Sequence, residues 1–170
     1  MLFRSNEHQI LSVVKHFPGQ GATAGDSHDG AVSTDKSLDD LLANELVPFQ
    51  QAVNNGASFV MVGHISAPAV TGDDTPASLS SVMVTDVLRN QLGFHGVVIT
   101  DAMNMGAVTG TYSSADAAVT AIQAGVDMIL MPDDFQSAYQ GVMDAVAGGT
   151  ITEDRINESV ARIIKVKLTM

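Results

Sequence analysis

The sequence predicts an α/β domain built on a parallel sheet. Two observations carry this expectation. Four short apolar runs are spaced along the chain, and each is followed by a segment of helical period. No run approaches the roughly 18 apolar residues of a membrane span, so the apolar segments are read as core strands and helices. The 170 residues are enough to bury a core and are expected to form one domain, residues 1–170.

The four runs are Ile10–Val14, Phe59–Val62, Val97–Thr100 and Met128–Met131. Each is continuous rather than alternating, the pattern of strands covered on both faces. After the first, Leu38–Val53 puts Leu38, Leu41, Leu42 and Leu46 on one helical face, with Ser37 as cap and Pro48 as the place for a kink. Val82–Leu92 closes at Gly93 and Ala115–Ala124 at Gly125, both suited to a left-handed C-terminal cap. Phe135–Ala147 stops at Gly148-Gly149. A last helix, Glu153–Lys167, starts behind Thr152 and repeats Ile156, Val160, Ile163 and Ile164 at helical spacing.

The bulk composition narrows the function. A formal net charge of −11 makes nucleic acid and anionic membranes poor partners. The absence of cysteine excludes disulfides and thiolate metal sites, and leaves the compartment open. Met1–Ser5 holds one Arg and no long apolar stretch, so it does not read as a signal peptide. Gly19, Gly21 and Gly25 suggest a mobile loop, but the nucleotide-binding glycine patterns are missing.

Chemistry is expected at the carboxyl ends of the strands, where parallel α/β folds place it. The first strand runs into Lys15-His16-Phe17-Pro18-Gly19, the second into Gly63-His64, the third into Thr100-Asp101 and the fourth into Pro132-Asp133-Asp134. The least regular stretches, 19–36 and 66–81, also follow strand ends and carry Asp26, Ser27, His28, Asp73 and Asp74. Each residue alone has a plainer role. His16 suits a hydrogen-bonded core position, Lys15 a snorkelling one, and Asp101 a helix cap. Asp26-Ser27-His28 suits a solvated turn, and His64 the close of its strand. The methionines suit core filling. Four polar strand ends in register nevertheless point to a shared pocket. A metal held by His16, His28, His64 and Asp101 is disfavoured, because no pair has helix-borne His-x-x-x-His spacing.

Longer motifs then make a family visible. Lys15-His16-Phe17-Pro18-Gly19-Gln20-Gly21 followed by Asp26-Ser27-His28 resembles the signature of the bacterial β-N-acetylglucosaminidases of glycoside hydrolase family 3. Val60–Ile65, Gly93–Met105 and Ala124–Pro132 match that family in the same order and spacing. Gln20 departs from it, standing where the family usually has a second His.

The resemblance implies a retaining glycoside hydrolase that removes non-reducing N-acetylglucosamine from β-linked glycosides, cell-wall muropeptide fragments among them. Asp101 matches the nucleophile. His28 matches the acid/base and Asp26 its orienting carboxylate, on a mobile catalytic loop over 19–36. Lys15, His16, His64 and Met103 fall at substrate-binding positions, with no metal and no organic cofactor. The implied fold is a TIM-type (β/α)8 barrel, of which this chain supplies strands 5–8. Four strands cannot close, so a second copy is expected to cover the open edges, and the chain alone is expected to have little or no activity. Two other readings are an N-acetylglucosaminide phosphorylase and a non-catalytic sugar-binding or assembly half-barrel.

Overall fold

The computed structural model describes residues 10–23 and 30–169. In chain order the elements are β1 (Val13–Phe17), β2 (Val32–Ser33), α1 (Leu38–Ala43), α2 (Val47–Asn54), β3 (Phe59–Val62), β4 (Ile65–Ser66) and α3 (Pro68–Thr71). Then follow α4 (Val82–Gln91, wound as a π-helix), β5 (Val97–Ala102), α5 (Gly106–Thr109), α6 (Ser114–Ala124), β6 (Met128–Leu130), α7 (Phe135–Ala147) and α8 (Glu153–Lys167). The main sheet has the order β1-β3-β5-β6 and every pairing in it is parallel. Successive strands are neighbours, each reached through a helical crossover, which is the progression of a (β/α) barrel wall. A two-stranded parallel pair, β2 with β4, lies beside it.

Local chemistry sets most boundaries. Ser37 starts α1 with a capping box: its hydroxyl accepts from Asp40 N–H, and the Asp40 carboxylate accepts from Ser37 N–H. The single helix expected over Leu38–Val53 is two helices. The break falls at Asn44–Leu46, and Pro48 sits in the first turn of α2. A proline there lacks only an N–H that a first turn leaves unpaired, whereas inside one long helix it would clash with the preceding turn. Gly125 ends α6 at φ 111°, and a Cβ there would stand 2.6 Å from Thr85 Oγ1, so both backbone and packing require glycine.

The strands are not covered equally on both faces as expected. In β3, Val60 and Val62 are fully buried while Phe59 and Met61 are half-buried. Val60, Val62 and Val98 pack into the helical layer with Leu41, Phe49, Met83, Val84 and Leu88. Phe17 meets Phe49 edge-to-face at 5.4 Å. The opposite face is the one a closed barrel turns inward, and four strands do not enclose it. Among the described residues, β1 and β6 have a strand neighbour on one side only. Exposed apolar side chains gather at these edges: Ile10 and Val13 by β1, and Met131, Phe135 and Tyr139 by β6.

The amino end of the sheet is tied by a charged knot. The Asp127 side chain, just before β6, is completely buried. One oxygen accepts from Arg89 Nη2 at 2.7 Å and from Val98 N–H at 2.9 Å. The other accepts from Ser159 Oγ at 2.6 Å and Arg162 Nη1 at 3.0 Å. Arg155 stands 3.7 Å away and donates to the Val126 carbonyl. Helices α4 and α8 are thereby fastened to the foot of the sheet. Burial pulls the Arg89 and Arg155 guanidinium pKa values down, and Asp127 opposes that shift.

Candidate functional site

Two irregularities in the ladder create the site. Between Val14 and Phe17, β1 advances three residues while β3 advances two, from Val60 to Val62. Between Ile99 and Ala102, β5 advances three residues while β6 advances two, from Met128 to Leu130. The extra residue in each case lies where a side chain must be re-aimed, the usual effect of a bulge. Lys15 and His16 occupy the first irregularity, and Thr100 and Asp101 the second.

The two bulged segments meet at the carboxyl rim. His16 Nε2 stands 3.5 Å from Asp101 Oδ2, with side chains 24% and 18% exposed. A partly open pair of this kind is reachable by a ligand and still shielded from bulk water. Asp101 Oδ1 accepts from Ala102 N–H at 2.9 Å. Asp101 caps no helix: α5 begins later, behind Met105, without a side-chain cap. Lys15 is exposed beside His16.

The second strand behaves differently. His64 is 1% exposed and both ring nitrogens meet protein atoms. Nε2 lies 3.0 Å from the Ala102 carbonyl. A carbonyl only accepts, so Nε2 carries the proton. The Ser78 hydroxyl, 2.8 Å from Nδ1, then donates to the free nitrogen of the neutral ring. Burial is the main cause holding the His64 pKa below its ordinary value. Expected as a sugar contact, His64 lies beneath the rim with both nitrogens engaged. Met103 is 3% exposed and packs with Val108, Tyr112 and Ile129, so its side chain also serves the interior.

The remaining rim residues separate. Asp134 caps α7 by accepting from Ser137 N–H at 3.0 Å. Asp73 accepts from Thr75 N–H at 2.9 Å in an exposed turn, which holds its carboxyl below the usual range. Asp26, Ser27 and His28 lie outside the described residues. The segments that flank them are placed. Gly19, at φ 131°, packs against Glu45, and Lys36 pairs with the Glu45 carboxylate. Strand β2 and Thr34 are bonded along β4, just past His64. No group of three or more His, Cys, Asp or Glu side chains able to hold a metal occurs among the described residues.

Asp127 was not singled out in the sequence. Its partners come from three separated segments, so no local spacing announces it. The motif Gly125-Val126-Asp127, whose glycine sits against α4, is the one trace it leaves.

Fold and rim together define a parallel (β/α) domain that presents a carboxylate and an imidazole at the carboxyl rim, from strands β5 and β1 on either side of β3. The sequence matches the glycosyl hydrolase family 3 N-terminal domain over residues 4–166. The chain belongs to glycoside hydrolase family 3. It is 35% identical over 166 residues to β-hexosaminidase LpqI of Mycobacterium tuberculosis, covering 93% of this chain and 42% of that protein. A family 3 β-N-acetylglucosaminidase from Paenibacillus sp. str. FPU-7 superposes with a TM-score of 0.93 at 37% identity, over 96% of this chain and 32% of the other. The β-glucoside phosphorylase BglX superposes with a TM-score of 0.90 at 28% identity, over 96% and 31% of the two chains. The chain thus spans less than half the length of these relatives.

Proposed function

We propose that this chain supplies strands 5–8 of the catalytic barrel of a retaining β-N-acetylglucosaminidase. The observation that carries the reading is the Asp101 carboxylate at the rim, 3.5 Å from His16. In this reading Asp101 attacks the anomeric carbon and displaces the aglycone, whose oxygen takes a proton from His28. His28 then removes a proton from water, which attacks the glycosyl-enzyme and releases Asp101. Asp26 orients and charges the imidazole. Lys15 and His16 donate to sugar hydroxyls. The substrates are non-reducing β-linked N-acetylglucosaminides, including muropeptide fragments, and no metal or organic cofactor takes part. Incubation with a chromogenic N-acetylglucosaminide, with the product anomer followed by NMR, tests this. Release of the β-anomer supports it, and release of the α-anomer overturns it.

These 170 residues alone are expected to turn over slowly or not at all, since four strands supply half of a barrel rim. We further propose that two copies meet edge to edge, β6 of one against β1 of the other at both seams, covering the exposed apolar side chains there. The structural likeness to a β-glucoside phosphorylase favours a second reading, in which phosphate replaces water. An imidazole acid/base repels that anion less than a carboxylate would. Formation of a sugar 1-phosphate only when phosphate is added would select this reading.

A further inference from the structure

We propose that His64 is a positioning residue for the Asp101 carboxylate, acting through the backbone of Ala102. The inference rests on Asp101 being the reacting carboxylate and adds what holds it in place.

Ala102 carries both contacts. Its N–H donates to Asp101 Oδ1 at 2.9 Å, and its carbonyl accepts from His64 Nε2–H at 3.0 Å. The bulge frees this stretch of β5 from regular pairing with β6, so something else must fix it. On the β6 side, Leu130 N–H donates to Thr100 Oγ1 at 3.0 Å, and Met103 N–H donates to the Leu130 carbonyl at 2.9 Å. On the β3 side, regular pairing runs to Val62 opposite Thr100, and beyond it His64 reaches across to Ala102. Asp101 is therefore held between two pinned neighbours.

The support behind His64 is equally specific. Ser78 N–H donates to the Gly63 carbonyl at 3.1 Å, which seats the Ser78 hydroxyl 2.8 Å from Nδ1. Ser78 is fully buried, so its hydroxyl has no water to turn to. The Ala102 carbonyl, which only accepts, fixes the tautomer with the proton on Nε2, and the Ser78 hydroxyl donates to the free Nδ1. The donating nitrogen thus faces the residue next to the proposed nucleophile.

The test compares the unmodified chain with His64→Leu, His64→Gln and Ser78→Ala. Two readouts are used: the hydrogen-exchange rate of the Ala102 amide by NMR, and the rate at which a fluorinated N-acetylglucosaminyl inactivator labels the aspartate matching Asp101 in a full-length relative carrying the same changes, by mass spectrometry. Leucine fills the site without a donor, whereas glutamine keeps a donor near the Nε2 position. His64→Leu is expected to speed Ala102 exchange at least about tenfold and to slow labelling at least about tenfold. His64→Gln is expected to restore most of both, and Ser78→Ala to give a smaller change in the same direction. If His64→Leu fails to fold, the other two variants decide. A glutamine variant as impaired as a leucine one, or labelling and exchange unchanged in all folded variants, overturns the proposal. If the unmodified relative is never labelled at that aspartate, the nucleophile reading fails, and the exchange of Ala102 still decides the positioning role.

Discussion

His16 Nε2 lies 3.5 Å from Asp101 Oδ2, although one belongs to the first strand of the sheet and the other to the third. The meeting depends on both bulged segments, since regular pairing would leave neither side chain aimed as it is. Replacing Asp101 by Asn keeps the size of the side chain and removes its nucleophilic charge. Inactivator labelling, or turnover in a full-length relative carrying the matching change, is expected to fall by about a thousandfold or more.

Loss of the proposed proton donor should be graded differently. His28→Ala is expected to lower turnover by about 10²–10⁴-fold on substrates with poor leaving groups. A substrate whose leaving group needs no protonation should be spared in the first step. Comparing activated and unactivated aryl N-acetylglucosaminides in a full-length relative checks this. Equal losses on both would remove His28 from the acid role.

Stability should depend on the opposite end of the sheet. Asp127→Ala leaves Arg89, Arg155 and Arg162 around a buried site without its carboxylate. Removing one partner of a buried charge network typically costs about 3–5 kcal/mol. Urea denaturation should show a loss of that order. The same measurement on Asp101→Asn should show almost none.

The buried imidazole gives a pH signature. The His64 pKa is held below its ordinary 6.5, chiefly by burial. As pH falls through that value, the unfolded chain takes up a proton that the folded chain refuses. Folding stability is therefore expected to decline below about pH 6.5, by up to about 1.4 kcal/mol per pH unit for one such group. The decline ends once the pH passes below the folded pKa. His64→Gln should flatten this part of the curve, and denaturation at a series of pH values checks it.

The two open sheet edges make a prediction about assembly. Light scattering at low protein concentration is expected to report twice the chain mass. A well-folded monomer would count against the paired arrangement. Replacing Phe135 and Tyr139, exposed beside β6, with Ser should weaken the association and spare the core.

Much of the fold is legible in the sequence because its signals are local. Phe59–Val62 is read with its observed ends, as are Phe135–Ala147 and Glu153–Lys167 with its Thr152 cap. The first strand is read too early, at Ile10–Val14 rather than Val13–Phe17. An apolar run cannot show that Lys15 and His16 continue a strand, because rim residues are polar for their own reasons. Met131 adopts φ 46° and leaves the fourth strand, which apolar character does not reveal. Motif resemblance singles out Asp101 and His16 together, but the bulges that join them are properties of pairing. His64 looks like a ligand-binding residue by position, and only its burial shows that it faces Ala102 and Ser78.

Glu45 meets both feet of the 19–36 segment: Gly19 packs on its stem and Lys36 pairs with its head. One side chain therefore buckles the exit of β1 to the approach to α1, so that Glu45→Ala would release both ends of the buckle at once.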